Sequence, residues 1–465
     1  MLGEDILYLP VYELGKRIRS KQISPFELTE SYLARSERFN PQLNAYVTIT
    51  RDLALDQARA AEKEIAAGHY RGPLHGIPYA AKDLLAVKGY PTTWGAKPYA
   101  NQRFDFNATV IERLTQAGAI LIGKAAMIEL AGGLNYRYAS AALTGPAKNP
   151  WNTGCWTCGS SSGSGAIASA ALAAFAIGTE TWGSIICPSA FCGVSGLRPT
   201  FGRVSRHGAM VIAYSQDKIG PMARSAEDCG LVLAAIAGHD PLDRSSLPPA
   251  EANFAYPTEP PAPLRVAWLT NAWEKPDPDI AAAAEAAIDV LKRHGAKVSD
   301  ARLPEGPYEA AAGIIVSVEG VAAFRYLLDS GKVAELSDPL GQINGYVSEQ
   351  LSASDYMRAL QIRGVFQKRV DALFDEFDVI ATATQPVAAT PLEMNLETEL
   401  SFADPIGGIG NLCGLPAISV PCGFTAKKLP AGIQFVARAR NDRFVIAAAN
   451  LFQQHTDWHT KRPPL

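Results

Sequence analysis

Apolar positions along this chain switch repeatedly between helical spacing and short unbroken runs. Ser24, Pro25 and Glu27 stand as N-cap, first helical residue and third-position acid, which together satisfy the free amides of a helix start, so a helix is predicted from about Pro25 towards Phe39. The alanine-rich segment from Leu53 to Ala67 stops at Gly68, which suits a left-handed terminating residue. Ala119–Ile122 and Ala417–Val420 are apolar runs bounded by turn residues and read as buried strands. Further on, Arg265–Leu269 reads as a strand and Asp279–His294 as an amphipathic helix closed by Gly295. Val379–Thr384 reads as a strand after a long helix. Strands alternating with helices argue for an α/β protein. Between Asp240 and Pro263, seven prolines mixed with serines and acids resist regular structure and mark a surface connection, a place where two lobes could part.

Composition narrows the classes. With 465 residues, 48% of them hydrophobic and 19% charged, the chain can bury one large core or two closely packed ones. Its 43 basic and 46 acidic residues are interspersed and give a formal charge of -3, so no basic stripe is available for phosphates and no nucleic-acid partner is expected. The longest apolar run, Ala166–Ile177, is broken by Ser169 and falls short of the roughly 20 residues a membrane span needs. The first residues place acids before bases without a sustained apolar stretch, unlike a secretory signal. Seven cysteines, an odd number, fit reduced thiols and a cytoplasmic location. Cys155 and Cys158 have redox or metal-ligand spacing, but no second such pair accompanies them, so they are read as packing thiols and no metal is expected.

The chemistry concentrates in two serine segments. Ser160 lies in CGSSSGSG (158–165), which leads straight into an alanine-rich helical stretch and so is not a flexible linker. Ser184 lies in GTETWGSI (178–185). A serine hydroxyl is a weak nucleophile at neutral pH and needs a base in reach and donors aimed at the developing oxyanion. Gly183 lets the backbone turn sharply before Ser184, so that neighbouring amides can point into the same space as the hydroxyl. With Lys82 far upstream, these residues read as parts of an acyl-transfer enzyme that attacks amide-type bonds without a histidine; His75, His207 and His459 are scattered and are read as solvent-facing or hydrogen-bonding side chains.

Residues 76–83 (GIPYAAKD), the serine-rich loop, 178–205 and 215–225 resemble the amidase signature family, and the likeness resumes at 414–421, 429–434 and 456–459. It is much weaker over about 240–375. The resemblance implies a single large mixed, twisted β-sheet flanked by helices on both sides. It also implies one amidase domain over 1–465: a core at about 60–235 and 375–465, the proline-rich connection, and a variable helical region at about 270–375. It assigns Ser184 as the acylated nucleophile, Ser160 as a bridging serine held by a cis peptide bond, and Lys82 as general base. Amides about Thr181, Trp182 and Gly183 would hold the oxyanion, and Ala131, Gly132 and Gly133, with Trp182 and Tyr136 nearby, would line an acyl pocket suited to apolar or aromatic groups. Lysine serves as a base only when neutral, which burial or a nearby positive charge can achieve. A small-molecule amide substrate, no cofactor, and a monomer or homodimer are expected.

Several positions depart from the family pattern. Trp182-Gly183 stands where two glycines are usual, Glu180 where aspartate is usual, and Ile186 where an arginine commonly supports the nucleophile loop, so that support must come from elsewhere. Trp182 must either pack outward or narrow one side of the pocket. Two functions follow from the resemblance: an amidohydrolase acting alone, with esters, anilides or carbamates within its chemistry, or the glutaminase subunit of a tRNA-dependent amidotransferase. The latter branch grips free glutamine with an arginine and an aspartate. Asp404 stands at the aspartate position, but Val333–Met357, where the arginine would fall, contains none.

Overall fold

The computed structural model describes residues 1–257, 262–400 and 403–465. The sheet strands are β1 (Tyr46–Ile49), β2 (Pro78–Lys82), β3 (Ile120–Ala125), β4 (Lys148–Asn149), β5 (Asn152–Trp156), β6 (Phe175–Glu180), β7 (Ser195–Arg198), β8 (Lys218–Ala223), β9 (Arg265–Leu269), β10 (Lys297–Ala301), β11 (Val379–Ala383), β12 (Ala417–Phe424) and β13 (Pro430–Ala437). Eleven of them form one sheet in the order β1-β3-β2-β6-β8-β7-β12-β13-β11-β9-β10, while β4 and β5 pair separately. The sheet is mixed: β2 runs parallel to β3 and β6, whereas β6, β8, β7, β12 and β13 are successively antiparallel. The central strands β2, β3, β8, β11 and β13 are buried at every residue. Strands covered on both faces carry continuous apolar runs rather than alternation, and this is the pattern of Ala119–Ile122 and Ala417–Val420 in the sequence.

The local signals act as their chemistry requires. Ser24 Oγ accepts from the Phe26 and Glu27 amides and opens the helix Pro25–Leu43. The alanine-rich helix is Arg51–Ala66, followed by Gly68 at φ +89°. Pro278–Arg293 and Ala353–Glu376 flank β9 and β11 in the chain, and Gly295 adopts φ +92°. Helices Ser162–Ser169, Ala226–Ile236, Pro278–Arg293 and Asp442–Gln454 pack against the sheet strands. Part of the proline-rich connection, at 258–261, lies outside the described residues; its described portion includes cis bonds at Tyr256–Pro257 and Ala262–Pro263. Among the described residues no helix is long and apolar enough to cross a membrane.

Candidate active site

Lys82 ends β2 and is fully buried. The register that sets Ala81 opposite Ile177 brings its side chain to Thr179 on the neighbouring strand. Lys82 Nζ donates to Ser160 Oγ at 2.7 Å, Ser161 Oγ at 3.0 Å and Thr179 Oγ1 at 2.9 Å. None of these partners is a carboxylate. Burial therefore drives the amine down to about 7, and the more distant charges of Asp217 and Glu180 oppose this without reversing it. The adjacent Asp83 takes no part: it is buried against Lys124 Nζ at 2.8 Å and accepts from the Thr93 amide at 3.1 Å.

Ser160 follows a cis Gly159–Ser160 bond, and its carbonyl accepts from the Ile128 amide at 3.2 Å. Ser161 Oγ donates to the Thr179 carbonyl at 3.1 Å and accepts from the Thr179 amide at 3.2 Å, which docks the serine loop on the end of β6. The Ser161 amide in turn donates to the Ser184 carbonyl at 3.3 Å. The Lys82 and Ser160 side chains thus meet, and Ser184 is tied to the same loop through its backbone carbonyl. The Lys82–Ser160 link is formed, while among the described residues the Ser184 hydroxyl makes no hydrogen bond to Ser160.

Past β6 the chain turns at Gly183, φ +76°, where an added Cβ would meet nothing within 4 Å. The amides of Trp182 and Gly183 donate to no acceptor among the described residues, whereas the Gly183 carbonyl accepts from the Cys187 amide at 2.8 Å. Glu180 supplies the loop support that Ile186 cannot. Its Oε2 accepts from the amides of Ile185 and Ile186 at 2.9 and 3.0 Å, and its Oε1 accepts from Arg198 Nη1 at 2.6 Å and Asn411 Nδ2 at 3.1 Å. Burial pushes the Glu180 carboxyl up, but the Arg198 guanidinium overcomes it and holds the group at about 2. Thr181 is held from behind, its Oγ1 donating to Asp217 Oδ1 at 2.6 Å. Arg198, Asn411 and Asp217 carry no local sequence signal for this role, because each reaches the loop only through strand or helix packing.

A cavity of about 390 Å³ opens beside this loop, lined by the aromatic Tyr136, Trp156, Trp182 and Phe191 and by the polar Gln385, Glu397 and Asp404 among others. Trp182 faces the cavity and donates its indole Nε1 to Asp404 Oδ2 at 3.0 Å. Burial raises Asp404 to about 6, against the pull of the Gly407 amide and the Trp182 indole. Ala131, Gly132 and Gly133, expected to line the acyl side, are not in the cavity wall. They sit behind it: the Ala131 amide donates to the Ile128 carbonyl, and Cβ atoms added at Gly132 and Gly133 would meet Tyr136 and Phe324 at 2.8 and 2.6 Å. The wall from that stretch is Asn135 and Tyr136, which follow the turn through Leu130 and Ala131, both at positive φ.

The cysteines also correct the sequence reading. Cys158 forms a disulfide with Cys187, Cα atoms 6.0 Å apart, so these two are not reduced packing thiols. The pairing escapes a search of local spacing because the partners lie 29 residues apart and meet only where the two serine segments meet. Cys155, the other half of the CxxC spacing, is free and buried. No group of metal-ligating side chains occurs among the described residues.

Comparison with known proteins gives the family. The chain matches the Amidase family model over residues 27–446. It belongs to the amidase signature family. Amide C–N bond hydrolysis is therefore its class of chemistry. A glutamyl-tRNA(Gln) amidotransferase subunit of Chloroflexus aggregans is 36% identical over 99% of each sequence. Among solved structures, the peptide amidase of Stenotrophomonas maltophilia superposes with a TM-score of 0.85 at 29% identity, covering 98% of both chains. The corresponding glutamyl-tRNA(Gln) amidotransferase subunit of Thermotoga maritima superposes with a TM-score of 0.80 at 25% identity, covering 100% of this chain and 98% of that one.

Proposed function

We propose that this amidase hydrolyses amides through an acyl-enzyme on Ser184. Neutral Lys82 accepts a proton from Ser184 by way of Ser160 as the Ser184 oxygen attacks the carbonyl carbon, and the free amides about Thr181, Trp182 and Gly183 take up the oxyanion. The proton returns to the leaving nitrogen as the C–N bond breaks, and water then attacks the ester and regenerates the Ser184 hydroxyl. The carrying observation is the buried Lys82 amine, 2.7 Å from Ser160 Oγ and held near 7 by burial, so that the neutral base is populated at physiological pH. Intact-mass measurement after treatment with a fluorophosphonate checks the nucleophile. One adduct on the parent chain and none on Ser184→Ala is expected, and equal labelling of both rejects the assignment.

For the acyl group we favour apolar or aryl amides, with esters, anilides and carbamates as further candidates, cleaved without a partner protein. Four aromatic side chains, Tyr136, Trp156, Trp182 and Phe191, stand in the cavity wall beside the polar Asn135, Gln385 and Glu397, and Trp182 occupies an oxygen of Asp404, the carboxylate at the glutamine-gripping position. The second reading, the glutaminase subunit of a tRNA-dependent amidotransferase complex, is favoured by the names of its relatives, since the similar proteins of Chloroflexus, Geobacter and Methylococcus are all glutamyl-tRNA(Gln) amidotransferase subunits. Assay of the isolated chain on free glutamine, aryl amides and alkyl carbamates separates the two. Turnover of glutamine alone selects the amidotransferase reading.

A further inference from the structure

The Cys158–Cys187 disulfide closes a ring of chain that contains both serines. Cys158 lies two positions before Ser160 and holds φ +63°, while Cys187 lies three positions after Ser184 in the first turn of the helix Ile186–Cys192. Within the ring run the serine loop, the helix Ser162–Ser169, β6 and the Gly183 turn. Beside the covalent bridge, the two serine segments are tied by the 3.3 Å hydrogen bond from the Ser161 amide to the Ser184 carbonyl and, further from the cavity-lining cysteines, by the Ser161 Oγ bonds to Thr179. Both sulfur-bearing residues line the cavity, whereas Cys155, Cys192, Cys229, Cys413 and Cys422 are buried free thiols outside its wall. Burial pushes the Cys192, Cys229 and Cys422 thiols up and leaves them unreactive.

We propose that this disulfide is a modification site: a small dithiol entering the cleft reduces it and so slows acylation of Ser184. A thiolate of the reductant attacks one cysteine sulfur, the S–S bond breaks to give a mixed disulfide, and the second reductant thiol displaces the remaining cysteine. Two electrons and two protons pass to Cys158 and Cys187, and the reductant leaves as its own disulfide. The consequence is geometric. The Ser160 and Ser184 segments lose their covalent tie on the cavity side, and a shift of about 1 Å between reacting groups costs up to about 100-fold in rate. The inference rests on Ser184 as nucleophile.

The test uses the full-length chain. Alkylation under denaturing conditions is expected to add five groups without reduction and seven after it, matching the five free cysteines; seven without reduction overturns the proposal. Dithiothreitol is then expected to slow fluorophosphonate labelling between about 10- and 100-fold with an unchanged circular dichroism spectrum, and reoxidation to restore it. The double variant Cys158→Ser/Cys187→Ser should label slowly with or without dithiothreitol. An unchanged labelling rate after complete reduction, or loss of the folded spectrum, overturns the clamp. Should the double variant not fold, the arm on the parent chain decides by itself. Labelling that persists in Ser184→Ala instead rejects the nucleophile assignment, a failure distinct from that of the disulfide.

Discussion

In the proposed mechanism Lys82 is an ordinary side chain that burial turns into a base. Desolvation lowers its affinity for protons to about 7, so kcat/KM is expected to rise with pH through a limb centred near 7 as the ammonium gives up its proton. Lys82→Ala should lose roughly 10³-fold or more and abolish that limb, which a pH profile measures directly. The same shift carries a stability sign. The unfolded chain holds the proton up to the ordinary value of 10.5 while the folded chain releases it near 7, so this group makes stability rise with pH between them. Arg198 is a different kind of residue. It reaches the nucleophile loop through Glu180, so Arg198→Met leaves a buried carboxylate without its partner and should cost about 3–5 kcal/mol in a denaturant titration.

The helix Ser162–Ser169 shows how an element is pinned to place a side chain just before it. Gly163 lies where a Cβ would come within 2.3 Å of the Ala45 carbonyl oxygen and 2.5 Å of the Ala126 nitrogen, and its own amide donates to the Ala126 carbonyl at 2.9 Å. Alanine would gain about 1 kcal/mol of helix propensity, but the buried backbone atoms of Ala45 and Ala126, adjoining the ends of β1 and β3, cannot move aside as a side-chain tip can. Steric cost wins. Gly163→Ala is expected to destabilise by about 3 kcal/mol and to slow Ser184 labelling as the serine loop lifts off β3, read by thermal unfolding and labelling rate together. The residue itself is visible in the sequence as one more glycine in a serine-rich run. Its necessity is not, because the atoms that crowd it come from positions far apart in the chain.

One sheet runs through nearly the whole molecule, and the proline-rich connection crosses from one part of it to another without dividing it. β12 pairs with β7, and the helix Asp442–Gln454 packs on Ala226–Ile236, so the later half of the chain completes the sheet begun by the earlier half. Coexpressed fragments ending near 245 and starting near 263 should therefore copurify and label at Ser184, and separate elution on size exclusion would show that the halves are independent. Where a signal is local, the chain alone carried it: the Ser24 cap, the apolar runs of β3 and β12, and Gly183 before Ser184 depend on neighbours in sequence, and family resemblance added Lys82, Ser160 and Ser184. The Glu180–Arg198–Asn411 support, the Trp182–Asp404 bond, the cavity wall at Tyr136 rather than Ala131–Gly133, and the Cys158–Cys187 bridge emerged only from folding. Each joins groups that strand order and helix packing bring together, and neither periodicity nor spacing along one chain encodes which distant atoms will share a buried space.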